Sequence, residues 1–232
     1  MLRLGDAIKM MVGATSWQIR GTYLDNVKLI AKDLDFCELL VYTWDLPTEE
    51  LLIKEMDDII QKTPISVHLP TDTLENVKRA VAFFEDFDCL NLTLHPFTDL
   101  KALADFYFDD AFGSCSNRLC LENLEDNLFH DFADYLGQDK NKLAITMDYG
   151  HLLFTGDSAE AFYNEYPSQI FEIHFHGANQ DKAHIYPDKV ALEDFQAFMK
   201  THDFPEQMPI CVELFHWPET NKLVKELKAN VG

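Results

Sequence analysis

Residues 145–152 read Ile-Thr-Met-Asp-Tyr-Gly-His-Leu and give the first indication of the fold. A short apolar run that ends at a glycine is typical of a buried strand. This pattern places Asp148 at the C-terminal tip of the strand and His151 in the loop that follows. Carboxylate and imidazole groups both bind metals, but a lone Asp-x-x-His pair is more often a helix N-cap beside a surface histidine. The rest of the chain must therefore decide between these interpretations.

The chain repeats an alternation of apolar strand, loop and amphipathic helix along its whole length. The predicted strands are 11–17, 36–42, 65–69, 90–95, 119–122, 143–148, 170–176 and 210–215. The predicted helices are 22–32, 49–61, 72–87, 99–108, 129–136, 158–166, 192–201 and 219–228. Eight such alternations, without a low-complexity or Pro/Gly-rich linker, predict an α/β fold of the closed (β/α)₈ barrel type.

The length of 232 residues and the 47% hydrophobic content suit one large core, so residues 1–232 are expected to form one barrel domain. The alternative is an open, doubly wound sheet. Two absences count against it: no Gly-x-Gly-x-x-Gly turn follows the first strand, and the sequence has no Walker-type phosphate loop.

The charge of the chain limits its partners. Nineteen basic residues face 40 acidic ones, for a formal net charge of -21. Nucleic-acid polymers are therefore not expected as partners, because their affinity depends on Lys and Arg neutralising phosphates. A small-molecule substrate is expected instead. The sequence shows no signal peptide, no apolar run near 18 residues and no Cys-x-x-Cys pair among its five cysteines. These features predict a protein of the reducing cytoplasm that does not enter a membrane.

Acidic and histidine side chains recur where the predicted strands end. In a (β/α)₈ barrel, catalytic residues lie at these C-terminal ends. The side chains at the ends and in the following loops are His68, His95, Glu122, Asp148, His151, His174, His176, His184 and Glu213. Any one of them alone is more often a hydrogen-bonded core residue. The whole set around one rim would cost several kcal/mol per buried charge unless a cation lies among them. Mixed imidazole and carboxylate ligands favour zinc, manganese or iron over magnesium.

This set of strand ends resembles the xylose isomerase-like barrel superfamily over most of the chain. That superfamily contains sugar isomerases and epimerases, and also the AP endonuclease family 2 enzymes of the endonuclease IV type. For the isomerase branch, the resemblance implies a single divalent metal ion. Its ligands would be Glu122, Asp148, His174 and Glu213.

For the nuclease branch, the resemblance implies three zinc ions, with His68, His95 and His151 as additional ligands. The late Asp-x-His motif of this branch is one residue longer here and reads Asp181-Lys182-Ala183-His184. His184 would bind the third ion. Asp181 and His176 are alternatives for the remaining ligand, and a site with only two ions is the third alternative.

A more local resemblance lies in the first third of the chain. Residues 13–17 (Gly-Ala-Thr-Ser-Trp), 21–27 (Gly-Thr-Tyr-Leu-Asp-Asn-Val), 37–42 (Cys-Glu-Leu-Leu-Val-Tyr) and 68–72 (His-Leu-Pro-Thr-Asp) resemble the cobamide-remodelling phosphodiesterases of the same superfamily. This resemblance implies cleavage of the nucleotide loop of a corrinoid.

The expected chemistry follows from these ligands. Two ions would share Glu122, and a water between them would ionise near neutral pH and attack a phosphorus atom. His151, with His184 and Asp181, would hold a third ion or contact a phosphate oxygen. The expected function is cleavage of a phosphodiester in a small soluble molecule, the nucleotide loop of a cobamide, with Glu122 and Glu213 as catalytic residues.

Two alternatives remain open. A single-metal sugar or sugar-phosphate isomerase or epimerase would use Glu122 and Glu213 as the base and acid on a hydroxy-ketone. The sequence favours the hydrolase, because such an isomerase has no use for ligands at both His68 and His95. A metal-binding barrel without enzymatic activity is the other alternative. Aromatic residues are expected to line the barrel mouth and bind a flat apolar ligand. They are Trp17, Trp44, Tyr149, Phe175 and Trp217.

Overall fold

Eight parallel strands close into a barrel in which each strand pairs with the next along the chain and β8 pairs with β1. A computed structural model describes residues 10–109 and 117–231. The strands are β1 Met11–Thr15, β2 Cys37–Leu40, β3 Ile65–His68, β4 Leu92–Leu94, β5 Leu119–Glu122, β6 Ala144–Asp148, β7 Ile170–Phe175 and β8 Pro209–Val212. The predicted (β/α)₈ barrel is confirmed, and the pairing of β1 with β8 excludes the open sheet. The expectation of one domain over residues 1–232 stays a prediction.

The helices lie between the strands in chain order. They are α1 Tyr23–Ile30, α2 Leu46–Ile60, α3 Leu74–Phe84, α4 Leu100–Tyr107, α5 Leu128–Leu136, α6 Tyr149–Thr155, α7 Ala159–Glu165, α8 Lys189–Thr201 and α9 Trp217–Val231. Polar N-caps begin several of them: the side chains of Thr22, Asp45 and Thr73 each accept a hydrogen bond from a backbone N–H in the first helical turn. No helix of the described residues is long and apolar enough to cross a membrane.

Helix α6 begins directly after β6 and was not predicted from the sequence. Asp148 Oδ1 accepts a hydrogen bond from the backbone N–H of His151 at 2.7 Å, which is the N-cap interaction expected of an Asp-x-x-His pair. The helix ends after two turns at Gly156, which has a positive φ of 79°. Asp148 thus caps a helix from the last position of a strand, and this holds His151 beside Asp148, with His151 Nδ1 3.3 Å from Asp148 Oδ2.

Alternation along the strands separates an apolar layer from a polar barrel interior. In β7, Phe175 faces outward and stacks on Phe195 of α8 with ring centroids 3.9 Å apart. Its neighbour His174 faces inward and contacts carboxylates of other strands. Lower in the interior, the Ser66 hydroxyl donates to Glu172 at 3.0 Å. Since successive side chains of a strand point to opposite faces, one sequence run builds both layers.

Candidate metal centre

A cavity of about 830 Å³ opens at the C-terminal ends of the strands. Six of the nine histidine and acidic side chains at the strand ends and following loops line it: His68, His95, Glu122, His151, His184 and Glu213. The other three, Asp148, His174 and His176, are fully buried beside it. The nine residues form three adjoining groups whose nitrogen and oxygen atoms lie close enough to share a metal ion. The structure therefore brings together the side chains that the strand ends predicted to converge.

The first group consists of His68, His95 and Glu122. The two histidine Nε2 atoms are 3.1 Å apart, and they lie 3.3 Å and 2.9 Å from Glu122 Oε2. Two imidazole nitrogens and a carboxylate oxygen thus converge on one point. This is a ligand combination that zinc and similar divalent ions accept.

The second group consists of Glu122, Asp148, His174 and Glu213, all buried. His174 Nδ1 lies 2.8 Å from Glu122 Oε1 and 3.5 Å from Glu213 Oε1. Glu122 therefore offers Oε2 to the first group and Oε1 to the second. A carboxylate with one oxygen in each group has the arrangement needed to bridge two ions.

The third group consists of His151, His176 and His184, whose ring centroids are between 4.0 and 5.5 Å apart. A Cβ atom on Gly150 would lie 2.3 Å from His176 Cε1, so only glycine allows this imidazole to approach α6. His184 has a φ of 51°, a left-handed conformation that is uncommon for residues other than glycine.

Asp181 and His176, two of the alternatives for the third group, lie in different places. Asp181 is exposed, and its backbone N–H donates to Asn179 Oδ1 within the loop. It is not part of any ligand group among the described residues. His176 Nε2, in contrast, lies 3.4 Å from Asp148 Oδ1 and close to both other histidines. The loop turns back through the antiparallel pairing of Gly177 with Ile185, and Asp181 therefore lies away from the three histidines.

Backbone carbonyls orient two of the histidines. Nδ1 of His68 lies 3.1 Å from Leu69 O, and Nδ1 of His151 lies 3.0 Å from Asn123 O. When Nδ1–H donates to a carbonyl, the Nε2 lone pair is left free to bind a metal. Nδ1 of His176 differs, because it accepts a hydrogen bond from the backbone N–H of His184 at 3.0 Å and also lies 3.0 Å from Gly177 O.

Several buried polar atoms of the groups lack a hydrogen-bond partner. Among the described residues they are Glu122 Oε2, Asp148 Oδ2, His176 Nε2 and His184 Nδ1. Glu122 Oε2 is close to two histidines but accepts a well-aligned hydrogen bond from neither. A buried polar atom without a partner costs about 1–3 kcal/mol, and more when it is charged. Four such atoms around one cavity fit a bound cation, and this residue set is therefore chemically suited to divalent metal ions.

The carboxylates of the centre carry closely spaced negative charge. Burial alone would raise the pKa of Glu122, but His174, followed by His68 and His95, lowers it well below its usual value. Burial raises the pKa of Glu213 to about 7, and the charges of Asp148, Glu122 and Glu38 outweigh the opposing effect of His174. A cation among these groups would favour their ionised forms.

The histidines respond to the same charges. Burial lowers the pKa of His68, but Glu122 outweighs this and raises it to about 9. His151 reaches about 9 because Asp148 and Glu122 outweigh the effect of burial. Burial and the nearby His176 lower the pKa of His184 to about 4, so this ring is neutral at pH 7.

Glu38 is a functional candidate that the sequence analysis missed. It is fully buried in β2, where its Oε1 lies 3.1 Å from His174 Nε2 and its Oε2 accepts a hydrogen bond from Cys211 Sγ at 3.1 Å. A carboxylate on the second nitrogen of a ligating histidine orients the ring and raises its basicity. The available signal was a charged residue inside the apolar run 37–41.

Five aromatic residues were predicted to line the barrel mouth, and for four of them this position is wrong. Trp17 lines the cavity as predicted. Trp44 is buried beneath α3 against Phe83 and Phe84, with ring centroids 5.3 and 6.1 Å away. Trp217 packs against the core at the start of α9. Tyr149 and Phe175 pack together and against Phe195 behind the barrel wall. They point away from the cavity because they follow Asp148 and His174, which point inward.

The chain was compared with known proteins. No protein-family model matches it, and no curated protein matches it. Solved structures do resemble it. A 3-keto-D-glucoside 4-epimerase from E. coli has a TM-score of 0.67 at 11% identity, over 95% of this chain and 100% of that one. An AP endonuclease of family 2 from Brucella melitensis has a TM-score of 0.64 at 11% identity, over 97% and 100%.

A sugar phosphate isomerase/epimerase from Parabacteroides distasonis has a TM-score of 0.63 at 12% identity, over 98% of both chains. A xylose isomerase domain protein from Planctomyces limnophilus has a TM-score of 0.58 at 13% identity, over 97% of this chain and 96% of that one. At these identities the likeness shows the fold alone. The strand order and these likenesses together show that the chain has the xylose isomerase-like (β/α)₈ barrel fold.

Proposed function

We propose that this protein is a metal-dependent hydrolase that cleaves a phosphodiester bond in a small molecule. One observation carries the proposal: the group of His68, His95 and Glu122 adjoins a second group through the two oxygens of Glu122. A centre for two ions on a shared carboxylate suits phosphoryl transfer, because two cations stabilise the attacking and leaving oxygens together. A single-ion reaction does not require the first group.

The three ligand groups would hold two or three divalent ions, with zinc as the first expectation and manganese or iron as alternatives. Ions bound there would supply Lewis-acid stabilisation of the phosphoryl group and a water of lowered pKa. For the third group, we propose His176 as the ligand, in preference to Asp181, because His176 lies with His151 and His184.

Four acidic residues of the chain would bind the ions, orient a ligand or accept a proton. Glu122 and Asp148 supply negative charge, and Glu38 holds His174 through Nε2. Glu213 Oε2 lies 3.6 Å from His184 Nδ1. Glu213 lines the cavity, so its carboxylate is placed to accept a proton from a bound molecule.

Charge favours a small molecule over a nucleic-acid polymer. None of the described residues that line the cavity is Lys or Arg, whereas Glu125 and Asp126 do line it. A polyanion would gain no counterion release here. Within the class of small phosphodiesters, we propose the nucleotide loop of a cobamide as the substrate. The resemblance of residues 13–17, 21–27 and 37–42 to cobamide-remodelling enzymes supports this choice.

A sugar isomerase or epimerase is the second candidate. The four-residue group of Glu122, Asp148, His174 and Glu213 is complete without the other two groups. Two of the similar structures are an epimerase and an isomerase/epimerase, so the comparisons support this candidate better than the hydrolase. Glu122 and Glu213 would then move a proton between adjacent carbons of a hydroxy-ketone.

The test measures metal content by mass spectrometry and then assays the metal-loaded protein on a cobamide, an abasic-site duplex and a panel of ketoses. We expect two or three ions per chain and cleavage of the cobamide. His95→Ala should abolish cleavage, while Tyr135→Ala, an exposed residue outside the metal-centre cavity, should not. One ion per chain with epimerisation of a ketose that survives His95→Ala would establish the isomerase. Metal retention without any turnover would support a binding barrel.

A further inference from the structure

Three exposed aromatic side chains form one wall of the metal-centre cavity. This aromatic wall consists of Trp17, Tyr42 and Phe215, which are 49%, 52% and 44% exposed. They follow β1, β2 and β8, which are neighbours because β1 pairs with both other strands. The Trp17 ring centroid lies 5.6 Å from that of Tyr42 and 6.4 Å from that of Phe215. The wall is therefore continuous.

The wall adjoins the ligand groups directly. The Phe215 ring centroid lies 5.4 Å from that of His184, a member of the third group. Single exposed aromatics are ordinary, but a contiguous exposed apolar patch in a cavity marks a binding surface. A molecule that reaches the metal centre through this cavity must pass along the wall.

The opposite side of the cavity is acidic. In a closed barrel of eight strands, β5 lies across from β1, and the residues after β5 that line the cavity include Glu125 and Asp126. The described cavity lining contains no Lys or Arg to balance them. A ligand that stacks on the wall therefore meets negative charge on its other side, which disfavours an anionic ring system.

We propose that the aromatic wall is a stacking subsite for a planar ring system without negative charge of its own, joined to the phosphoester that the metal centre acts on. This subsite rests on the proposed hydrolase for its link to the phosphoester, but the ring binding itself can be tested separately. Stacking on aromatic side chains is tolerant of ring identity and needs only a flat π-face. The cavity has the volume of a site for a ligand of this size.

The test compares two probes that differ only in the ring. Adenosine 5′-phosphate and ribose 5-phosphate share the sugar and the phosphate, and only the first carries a heterocycle. Binding of each to the zinc-loaded full chain is measured by titration calorimetry. We expect adenosine 5′-phosphate to bind at least about tenfold more tightly, as base stacking on aromatic residues suggests.

Variants assign this preference to the wall. Trp17→Leu and Phe215→Leu should each reduce the preference to about threefold or less, and Trp17→Phe should retain it because the aromatic face remains. Tyr135→Leu is the matched control, since Tyr135 is 51% exposed and lies outside the cavity. Zinc content should not change in any of these variants. Equal binding of the two probes to the unsubstituted protein, or a preference that survives both leucine variants, would overturn the proposal.

The outcome separates the subsite from the proposed function. Cleavage of bis(p-nitrophenyl) phosphate by the same zinc-loaded preparation reports on the hydrolase. A wall-dependent ring preference without this cleavage would support the subsite and reject the hydrolase. Cleavage without a wall-dependent preference would support the hydrolase and reject the subsite.

Discussion

Glu122 and Glu172 are both glutamates buried inside the barrel, but their surroundings shift the pKa values of their carboxyl groups in opposite directions. Burial by itself raises the pKa of both. At Glu122, His174 and two further histidines outweigh burial and keep the group ionised. Glu172 accepts hydrogen bonds from the neutral donors Ser66 and Asn91, each at 3.0 Å, but these do not outweigh burial. Burial, together with the charge of Glu38, therefore raises the pKa of Glu172 to about 8.

The neighbouring side chains, more than burial, therefore determine whether a buried carboxyl group is ionised. An ionised carboxylate among imidazoles is a metal ligand, whereas a protonated one bound to Ser and Asn is a structural element of the interior. The mouth and the lower interior of the barrel, built from the same strands, thus carry different chemistry.

The largest expected effect is at Glu122. Glu122→Gln removes the charge that two ligand groups share, so it should release metal and reduce activity by more than about 100-fold. Asp148→Asn should act in the same direction, since Asp148 belongs to the second group. Metal content by mass spectrometry and a kinetic assay check this, with circular dichroism as the control for folding. Unchanged metal content in both variants would contradict the ligand assignment.

Metal binding should weaken as the pH falls. With pKa values raised to about 9, His68 and His151 carry protons at neutral pH and must lose them to bind an ion. Two such displaced protons imply that apparent zinc affinity drops about 100-fold from pH 7 to pH 6. Competition with a chelator at each pH measures the affinity. An affinity that is constant over this range would show that these histidines do not bind the metal.

A smaller effect is expected at Glu38, which touches the centre only through His174. Glu38→Gln should lower zinc affinity about 10- to 100-fold, as loss of a partner to a ligating histidine does. Cobalt substitution offers a readout beyond stability, because a change in ligand orientation shifts the visible spectrum. A variant with native affinity and an unchanged cobalt spectrum would assign Glu38 a purely structural role.

The smallest effect on the metal is expected at Glu172. Glu172→Gln resembles the protonated carboxyl group and should leave zinc content unchanged. It should, however, alter the pH dependence of stability. The folded chain keeps the proton of Glu172 up to about pH 8, whereas the unfolded chain loses it near the usual 4.5. Stability from this group therefore falls as the pH rises from about 4.5 to about 8.

Denaturant unfolding at pH 5 and pH 8 tests this sign. The free energy of unfolding of the unsubstituted chain should decline more between these pH values than that of Glu172→Gln. An identical decline in both proteins would show that Glu172 is ionised in the folded state, and the contrast with Glu122 would then be lost.

The barrel and most of the residues at its mouth could be predicted from the amino-acid sequence. Short apolar runs indicate buried strands, and eight strand and helix alternations leave few topologies. Because parallel strands in a barrel end at one rim, the residues after each run were expected to converge. His68, His95, Glu122, Asp148 and Glu213 followed from this rule.

The contacts between side chains of different strands could not be predicted from the sequence and are seen in the tertiary structure. Glu38 of β2 meets His174 of β7 across the interior of the closed barrel, although the two strands are far apart in the chain. The route of the loop before α8 places His176 with the other two histidines and leaves Asp181 exposed. Helix α6 and the packing of Trp44 likewise required the surrounding elements. The physical reason is that a sequence pattern specifies the face of one strand, whereas contacts between strands depend on barrel closure and loop conformation.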